Sequence, residues 1–441
     1  MDCKTAADLL VAYARCELSA EQTAQLEKHL AECPACRWSA EAARKTVQLL
    51  AQAAEPDTVT LATELMTEAV KAGASDLHLI PQRDWVEVIL RVDGVLRPIR
   101  QLPRASHSAL VGRFLTLSEL NPFEYRRAQF SRLQVRVDDH DYHLRVTLLP
   151  TAWGPALSLR ILPEPLELGL QSLGFSPANR DLMLKLLRQP CGLVVVSGPA
   201  GSGKTTTLYA CLHELANPSI SILTVEESVA YMLEGVRQIV VDYAAGFGHA
   251  AALRAAMQSD PDVIMVDFLR DQATAAEAVN LALSGHLVLA GLHAQDAPSA
   301  VQRLLGLGLD PTLVADSLIA TTCQRLVRRI CTGCRREQPT SAADQAFLRE
   351  QGVSDIPKAL LSGAGCESCR GTGYRGRTTI AEILPMTPQL IGAIADGSYT
   401  AEIGAAALPE TMAHDGAQKA LEAVTTVAEV SRVTRSPYRI G

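Results

Sequence analysis

Missing from this 441-residue chain is any unbroken apolar run near the roughly 20 residues that cross a bilayer. The N-terminus also lacks a charged-then-apolar export segment. A cytoplasmic protein is expected, whose contact with any membrane is peripheral. Positive charge is short as well: 41 Lys and Arg stand against 48 Asp and Glu, a formal net charge of −7. General nucleic-acid binding needs clustered cations to neutralise phosphates, so no nucleic-acid partner is expected. No internal repeat or low-complexity tract is visible. What remains is a globular composition, 48% hydrophobic and 20% charged, over a length that suggests about three domains. Cysteine breaks this run of shortages. Six of the eleven fall in three C-x-x-C pairs, and in a reducing compartment that spacing points to metal rather than to disulfides.

Residues 193–215 organise the rest of the chain. Four apolar residues, Leu193 to Val196, suit a strand buried on both faces, and the alanines and leucines after Thr205 suit a helix packed on that sheet. Between them Gly198, Pro199, Ala200, Gly201, Ser202, Gly203, Lys204 and Thr205 spell G-x-x-x-x-G-K-T, with Thr206 following. Glycines let successive N–H groups and a helix N-terminus face an anionic phosphate. Lys204 is then placed to reach the β- and γ-phosphates of ATP, and the Thr205 hydroxyl to sit on Mg²⁺.

Around this stretch the chain divides into segments. Residues 1–50 are helical in period, with Ser19 and Gln22 forming an expected capping box. The segment carries Cys3 and then His29-x-x-x-Cys33-x-x-Cys36, four ligands that can surround one zinc ion, while Cys16 is expected in the core. Residues 51–60, polar and containing Pro56, suggest a linker. Residues 61–163 combine a helix with alternating strands in an α+β domain, including a hairpin turn at Asp93-Gly94. Pro163 and Pro165 mark a second hinge, and 164–172 is expected as linker. Residues 173–330 alternate strand and helix, the pattern of an α/β domain with a parallel sheet covered on both faces. Cys331, Cys334, Cys366 and Cys369 then have the spacing of a closed Cys₄ zinc site flanking a polar helical insert over 331–371. The rest, 372–441, is expected as short helices and turns.

Several stretches, taken in order, carry a specific resemblance over about residues 60–430. They are Gly73-Ala74-Ser75-Asp76-Leu77-His78, Arg91-Val92-Asp93-Gly94, Leu148-Leu149-Pro150-Thr151, the phosphate loop, Asp260-Pro261-Asp262-Val263-Ile264-Met265-Val266, Gly285-His286-Leu287-Val288-Leu289 and Gln324-Arg325-Leu326. Together they resemble the type II secretion and type IV pilus assembly ATPases. The resemblance implies a PAS-like α+β domain followed by a RecA-like P-loop domain, ATP in the cleft between them, and a hexameric ring acting on an inner-membrane platform protein. It also implies that Arg132, Arg145 and Arg160 neutralise phosphate charge, that His293 stands near the γ-phosphate with His286 in the same motif, and that the four late cysteines hold a structural zinc. Residues 1–50 resemble the zinc module of anti-sigma factors, which implies a protein partner or an adaptor role for that segment.

The chain departs from the family where water and metal are handled. The acidic box reads Thr224-Val225-Glu226-Glu227-Ser228-Val229-Ala230, keeping Glu226, placing Glu227 where relatives have aspartate and ending on an alanine where they have glutamate. In the later acidic motif, Asp267 and Phe268 take the places of glycine and glutamate. Phenylalanine can neither accept a proton nor orient water. Gln258 and Ser259, and the stretch Ala128-Gln129-Phe130-Ser131-Arg132, depart as well. Two expectations follow: a working ATPase that uses Glu226 or Glu227 for the water and Asp267 for the metal, or a nucleotide-gated subunit that hydrolyses slowly or not at all.

Overall fold

The computed structural model describes residues 1–15, 17–54, 56–121, 124–162 and 169–434, so Cys16 and the hinge prolines at 163 and 165 lie outside the described residues. The chain divides into two compact units, residues 1–164 and 165–441. Among the described residues, no helix is long and apolar enough to cross a membrane.

The first unit begins with α1 (Cys3–Ala14), α2 (Ala20–Glu32) and α3 (Pro34–Ala54) around a small core of Ala6, Leu10, Leu26, Leu30 and Ala40. The expected capping box is present: Gln22 N donates to Ser19 Oγ and Ser19 N donates to the Gln22 side chain. The expected linker over 51–60 is corrected, because α3 continues to Ala54 and α4 (Pro56–Lys71) starts at once. Pro56 reads as a breaker in the sequence, yet the first position of a helix has no use for the N–H that proline lacks.

Next come β1 (Ala74–Pro81), β2 (Trp85–Val92), β3 (Val95–Pro103), α5 (Ser106–Leu117), β4 (Gln129–Val137), β5 (His140–Leu149) and β6 (Ala156–Ile161). The six strands form one antiparallel sheet in the order β3-β2-β1-β6-β5-β4. The turn between β2 and β3 has positive φ at both central residues, 50° at Asp93 and 82° at Gly94, which matches the twist of a tight hairpin. Alternate strand residues such as Leu77, Leu79, Val88, Leu144 and Leu157 join Leu65, Leu110 and Phe114 from the helices in one core.

In the second unit α6 (Pro177–Leu187) precedes β7 (Gly192–Ser197), α7 (Lys204–Leu215), β8 (Ile222–Glu226), β9 (Val236–Val240), α8 (His249–Met257), β10 (Val263–Val266), α9 (Gln272–Leu283), β11 (Leu287–Leu292), α10 (Ala297–Leu305), α11 (Pro311–Ser317) and β12 (Leu318–Ile330). These six strands are parallel, in the order β12-β7-β11-β10-β8-β9, with separate apolar clusters covering the two faces. The α/β expectation holds here, and β7 is buried along its whole length.

Beyond β12 the expected boundaries shift. A small antiparallel pair, β13 (Arg335–Pro339) and β14 (Ala359–Gly363), encloses α12 (Ala342–Glu350). The chain then returns as β15 (Tyr374–Pro385), antiparallel to β12, to make a seventh strand of the large sheet. Residues 372–441 are therefore not helices and turns alone, and the domain does not close at 330. Paired along β12, β15 buries seven consecutive residues on the sheet and has no helical period to distinguish it. Four short helices follow: α13 (Pro388–Ala395), α14 (Ala401–Ala406), α15 (Met412–Leu421) and α16 (Val427–Thr434).

Buried acids tie this C-terminal layer to the sheet. Glu382 on β15 accepts from Ala297 N at 2.7 Å and Met412 N at 2.9 Å, the first residues of α10 and α15, so one carboxylate caps two helices. Asp415 accepts from Ala381 N and from Lys419 Nζ, and Lys419 also reaches Thr379 O. Burial pushes the Glu429 carboxyl up, but hydrogen bonds from Arg432 and Arg328 overcome that and hold it at about 2. Glu382→Ala leaves two helix-terminal N–H groups buried without an acceptor, and a loss of about 2–4 kcal/mol is expected from urea or thermal unfolding. A change within about 0.5 kcal/mol would mean the double cap carries little of the stability.

Candidate functional site

Strand β7 delivers the chain to residues 198–203, and α7 starts on Lys204. Gly198 is demanded by close packing, since a Cβ there would lie 2.5 Å from Gln324 O and 2.5 Å from Ser202 Oγ. Gly203, the N-cap of α7, sits at φ 91°, a left-handed conformation that favours glycine. Gln324 on β12 braces the loop from behind: it donates to Ser202 O at 2.9 Å and accepts from Thr207 Oγ1 at 2.8 Å. The Thr205 side chain stays exposed on the first turn of α7, where a metal ion can reach its hydroxyl.

Lys204 is folded back into the loop. Its ammonium donates to Gly198 O at 3.0 Å and Pro199 O at 2.9 Å and lies 3.4 Å from His293 Nδ1. Burial pushes this lysine down to about 8. His293 follows β11, and its Nδ1 is also 3.1 Å from Gly198 O. The structure thus brings together the loop, Lys204 and His293. His286 is at the other end of β11, roughly 20 Å away along the strand, and its Nδ1 is bonded to Pro261 O. It belongs to the packing of that end of the sheet.

The acidic residues separate into three settings. Glu226, the last residue of β8, is fully buried and bonded by Tyr209, Thr224 and Gln238 at 2.5, 2.6 and 3.3 Å. Burial pushes its carboxyl up against the pull of those bonds. Glu227 is exposed and pairs with Arg270 at 2.7 Å. Asp267, just beyond β10, accepts from Glu227 N at 2.7 Å and meets His249 Nε2 at 2.7 Å. Phe268 turns elsewhere and packs on His293, with ring centroids 4.5 Å apart. Tyr209, Gln238, His249 and Tyr243 are site neighbours that sequence reasoning misses, because each acts on a residue from a different element and no local spacing marks it.

In the first unit Arg132, Arg145 and Arg160 are register partners on β4, β5 and β6, so they form a row on one face of that sheet. Arg160 donates to the buried carboxylate of Asp76 at 2.8 Å. Asp76 on β1 is the register partner of Arg160 and sets an acid at the end of this row.

Both expected zinc sets converge. In Cys3, His29, Cys33 and Cys36, and again in Cys331, Cys334, Cys366 and Cys369, the ligand atoms all lie within 4.8 Å of one another. Sulfur pairs Cys3–Cys33, Cys331–Cys366, Cys334–Cys369 and Cys366–Cys369 are each 3.8 Å apart. A zinc ion about 2.3 Å from each thiolate of a tetrahedron requires an edge of about 3.8 Å, so the residues fit. In the first set His29 Nε2 is buried with no hydrogen-bond partner, as a ring nitrogen kept for a metal would be. Four protein ligands leave no open position in either set, the arrangement suited to a structural rather than a catalytic ion.

A family model described as "Type II/IV secretion system protein" matches residues 51–432, and one described as "Putative zinc-finger" matches residues 3–37. The Type II secretion system protein E of Pseudomonas aeruginosa is 39% identical over 89% of this chain and 78% of its own length. The Type IV pilus assembly ATPase PilB of Thermus thermophilus is 37% identical over 83% of this chain, which spans 42% of that longer protein. The crystal structure of the pilus retraction motor PilT with bound ADP has a similar fold, with a TM-score of 0.57 at 21% identity over 86% of this chain and 98% of that one. Elemental analysis of the purified protein is expected to find two zinc ions per chain. Cys33→Ser and Cys366→Ser should each remove one, and a wild-type content near zero would sink the assignment.

Proposed function

Because the chain belongs to the type II/IV secretion system protein family, we propose that it binds ATP with Mg²⁺ and hydrolyses it to drive a secretion or pilus system. In this reading it works as a hexameric ring on the cytoplasmic side of the inner membrane, passing nucleotide-driven closure to a platform protein. The observation that carries it is Lys204, held among the carbonyls of its own loop beside His293. A half-buried ammonium held by backbone carbonyls is poised to exchange them for phosphate oxygens, which restore its favoured charged state. The relatives' names point the same way, since one is called an ATPase and a fold neighbour was crystallised with ADP.

Within this reading Gly198 to Thr206 cradle the phosphates and Thr205 takes Mg²⁺, a hard ion suited to hydroxyl and carboxylate oxygens. Magnesium would supply charge neutralisation at the transferring group. Asp267 is the metal-facing carboxylate, while exposed Glu227 suits the attacking water better than Glu226, whose oxygens are occupied by three side-chain donors. Arg132, Arg145 and Arg160 provide an anion-facing row. The zinc module over residues 1–50 is proposed to dock a protein partner.

A second reading is favoured by Phe268. Its ring covers His293 where relatives place the glutamate that orients water, which suits a subunit that closes on ATP and turns over slowly or not at all. Steady-state phosphate release separates the two: turnover abolished by Lys204→Ala supports the motor, and tight ATP binding without turnover supports the gated subunit. Failure to retain adenine nucleotide with Mg²⁺ would end both.

A pH test follows from Lys204. Its folded value of about 8 lies below the ordinary 10.5, so the ligand-free fold gains stability as pH rises from about 8 towards 10.5, where the unfolded chain binds the extra proton. Binding a triphosphate raises the value again, so proton uptake is expected near pH 8.5. Calorimetry in two buffers of different ionisation enthalpy measures it, and Lys204→Ala should remove it.

A further inference from the structure

The end of β10 is enclosed by a ring of side chains that the phosphate loop does not use. Tyr243 Oη lies 2.7 Å from His249 Nδ1, and His249 Nε2 lies 2.7 Å from Asp267 Oδ1. The second Asp267 oxygen accepts from the backbone N–H of Glu227 at 2.7 Å. The Glu227 carboxylate pairs with Arg270 at 2.7 Å, and the Arg270 guanidinium stands 5.3 Å over the Tyr243 ring, which closes the circuit. The His249 side chain is wholly buried, whereas Tyr243 is 49% exposed.

One assignment of protons satisfies the chain of bonds. A carboxylate only accepts, so Nε2 carries a proton and donates to Asp267, and in the singly protonated ring Nδ1 then accepts the Tyr243 O–H. Both Asp267 oxygens are thereby held in place, and each retains a second lone pair. Position 268, next along the chain, carries no carboxylate, so the rigidly held Asp267 is the acid available at this strand end. A ligand carboxylate held by an outer partner is the usual device for fixing geometry and affinity at a metal.

We propose that His249 is a positioning residue that aims Asp267 at the divalent cation of the bound nucleotide, with Tyr243 setting the His249 tautomer. The proposal rests on the reading of the phosphate loop as an ATP–Mg²⁺ site and adds two residues to it. A histidine that merely fills the core under α8 would leave metal affinity untouched, so the two roles are separable.

The test uses Mn²⁺ as the cation with ADP, free Mn²⁺ being read by electron paramagnetic resonance on the full-length protein. His249→Ala should weaken Mn²⁺ binding to the ADP complex by about tenfold or more, with metal-free ADP affinity in chelator unchanged. His249→Gln, whose side-chain amide can stand near Nε2 and donate to Asp267, should recover most of the loss, and Tyr243→Phe should fall between. Wild-type Mn²⁺ affinity in His249→Ala overturns the proposal, as does failure of glutamine to rescue a variant whose melting temperature is unchanged. Loss of metal-dependent and metal-free ADP binding together, with a lowered melting temperature, also overturns it by assigning His249 to folding. If the wild type retains no ADP with or without Mn²⁺, the nucleotide reading itself fails.

Discussion

Strand β7 constrains most of what the second unit can do. Buried on both faces and hydrogen-bonded on both edges, by β12 and β11, it cannot shift without breaking two ladders. Its carboxyl end therefore delivers the phosphate loop to a fixed place. Gln324 reaches it from β12 on one side and His293 from β11 on the other. A phosphate site made of backbone N–H groups works only if those groups are preorganised, because reorienting them on binding would forfeit much of the attraction.

Around that rigid centre, the buried carboxylates are each answered by donors. Glu226, Glu382, Asp415 and Glu429 are almost wholly buried, and each collects two or more donors. Unanswered, each would impose a penalty of several kcal/mol on a fold whose net stability is of that order. Three of them, Glu382, Asp415 and Glu429, join late helices to strands β12 and β15, which explains why the C-terminal residues are part of the sheet domain rather than an appendage. The first cysteine set stands beside a small apolar core, where a bound metal would add most to stability.

The departures from the family motifs take on shape in three dimensions. Adjacent positions 267 and 268 point to different neighbours: the aspartate to β8 and α8, the phenylalanine to His293 beside the loop. Exchanging glycine and glutamate for aspartate and phenylalanine therefore sets an acid against His249 and an apolar ring against His293.

The sequence alone determined what depends on short spacing. G-x-x-x-x-G-K-T, the two metal-ligand sets, the Ser19 capping box, the hairpin at Asp93-Gly94 and the alternating strands were legible because a few consecutive residues dictate a turn, a ligand arc or a buried face. Tertiary structure alone decided what long-range neighbours impose. Pro56 proved to start a helix rather than a linker, since its role depends on what precedes it. β15 could be recognised only by its pairing with β12, some fifty residues earlier, and Glu226 became an inaccessible acid only through Tyr209 and Gln238. His249 and Asp267, eighteen residues apart on different elements, carry no shared pattern. Chain geometry reaches only a few residues before the next contact must be supplied by folding, and these features lie beyond that reach.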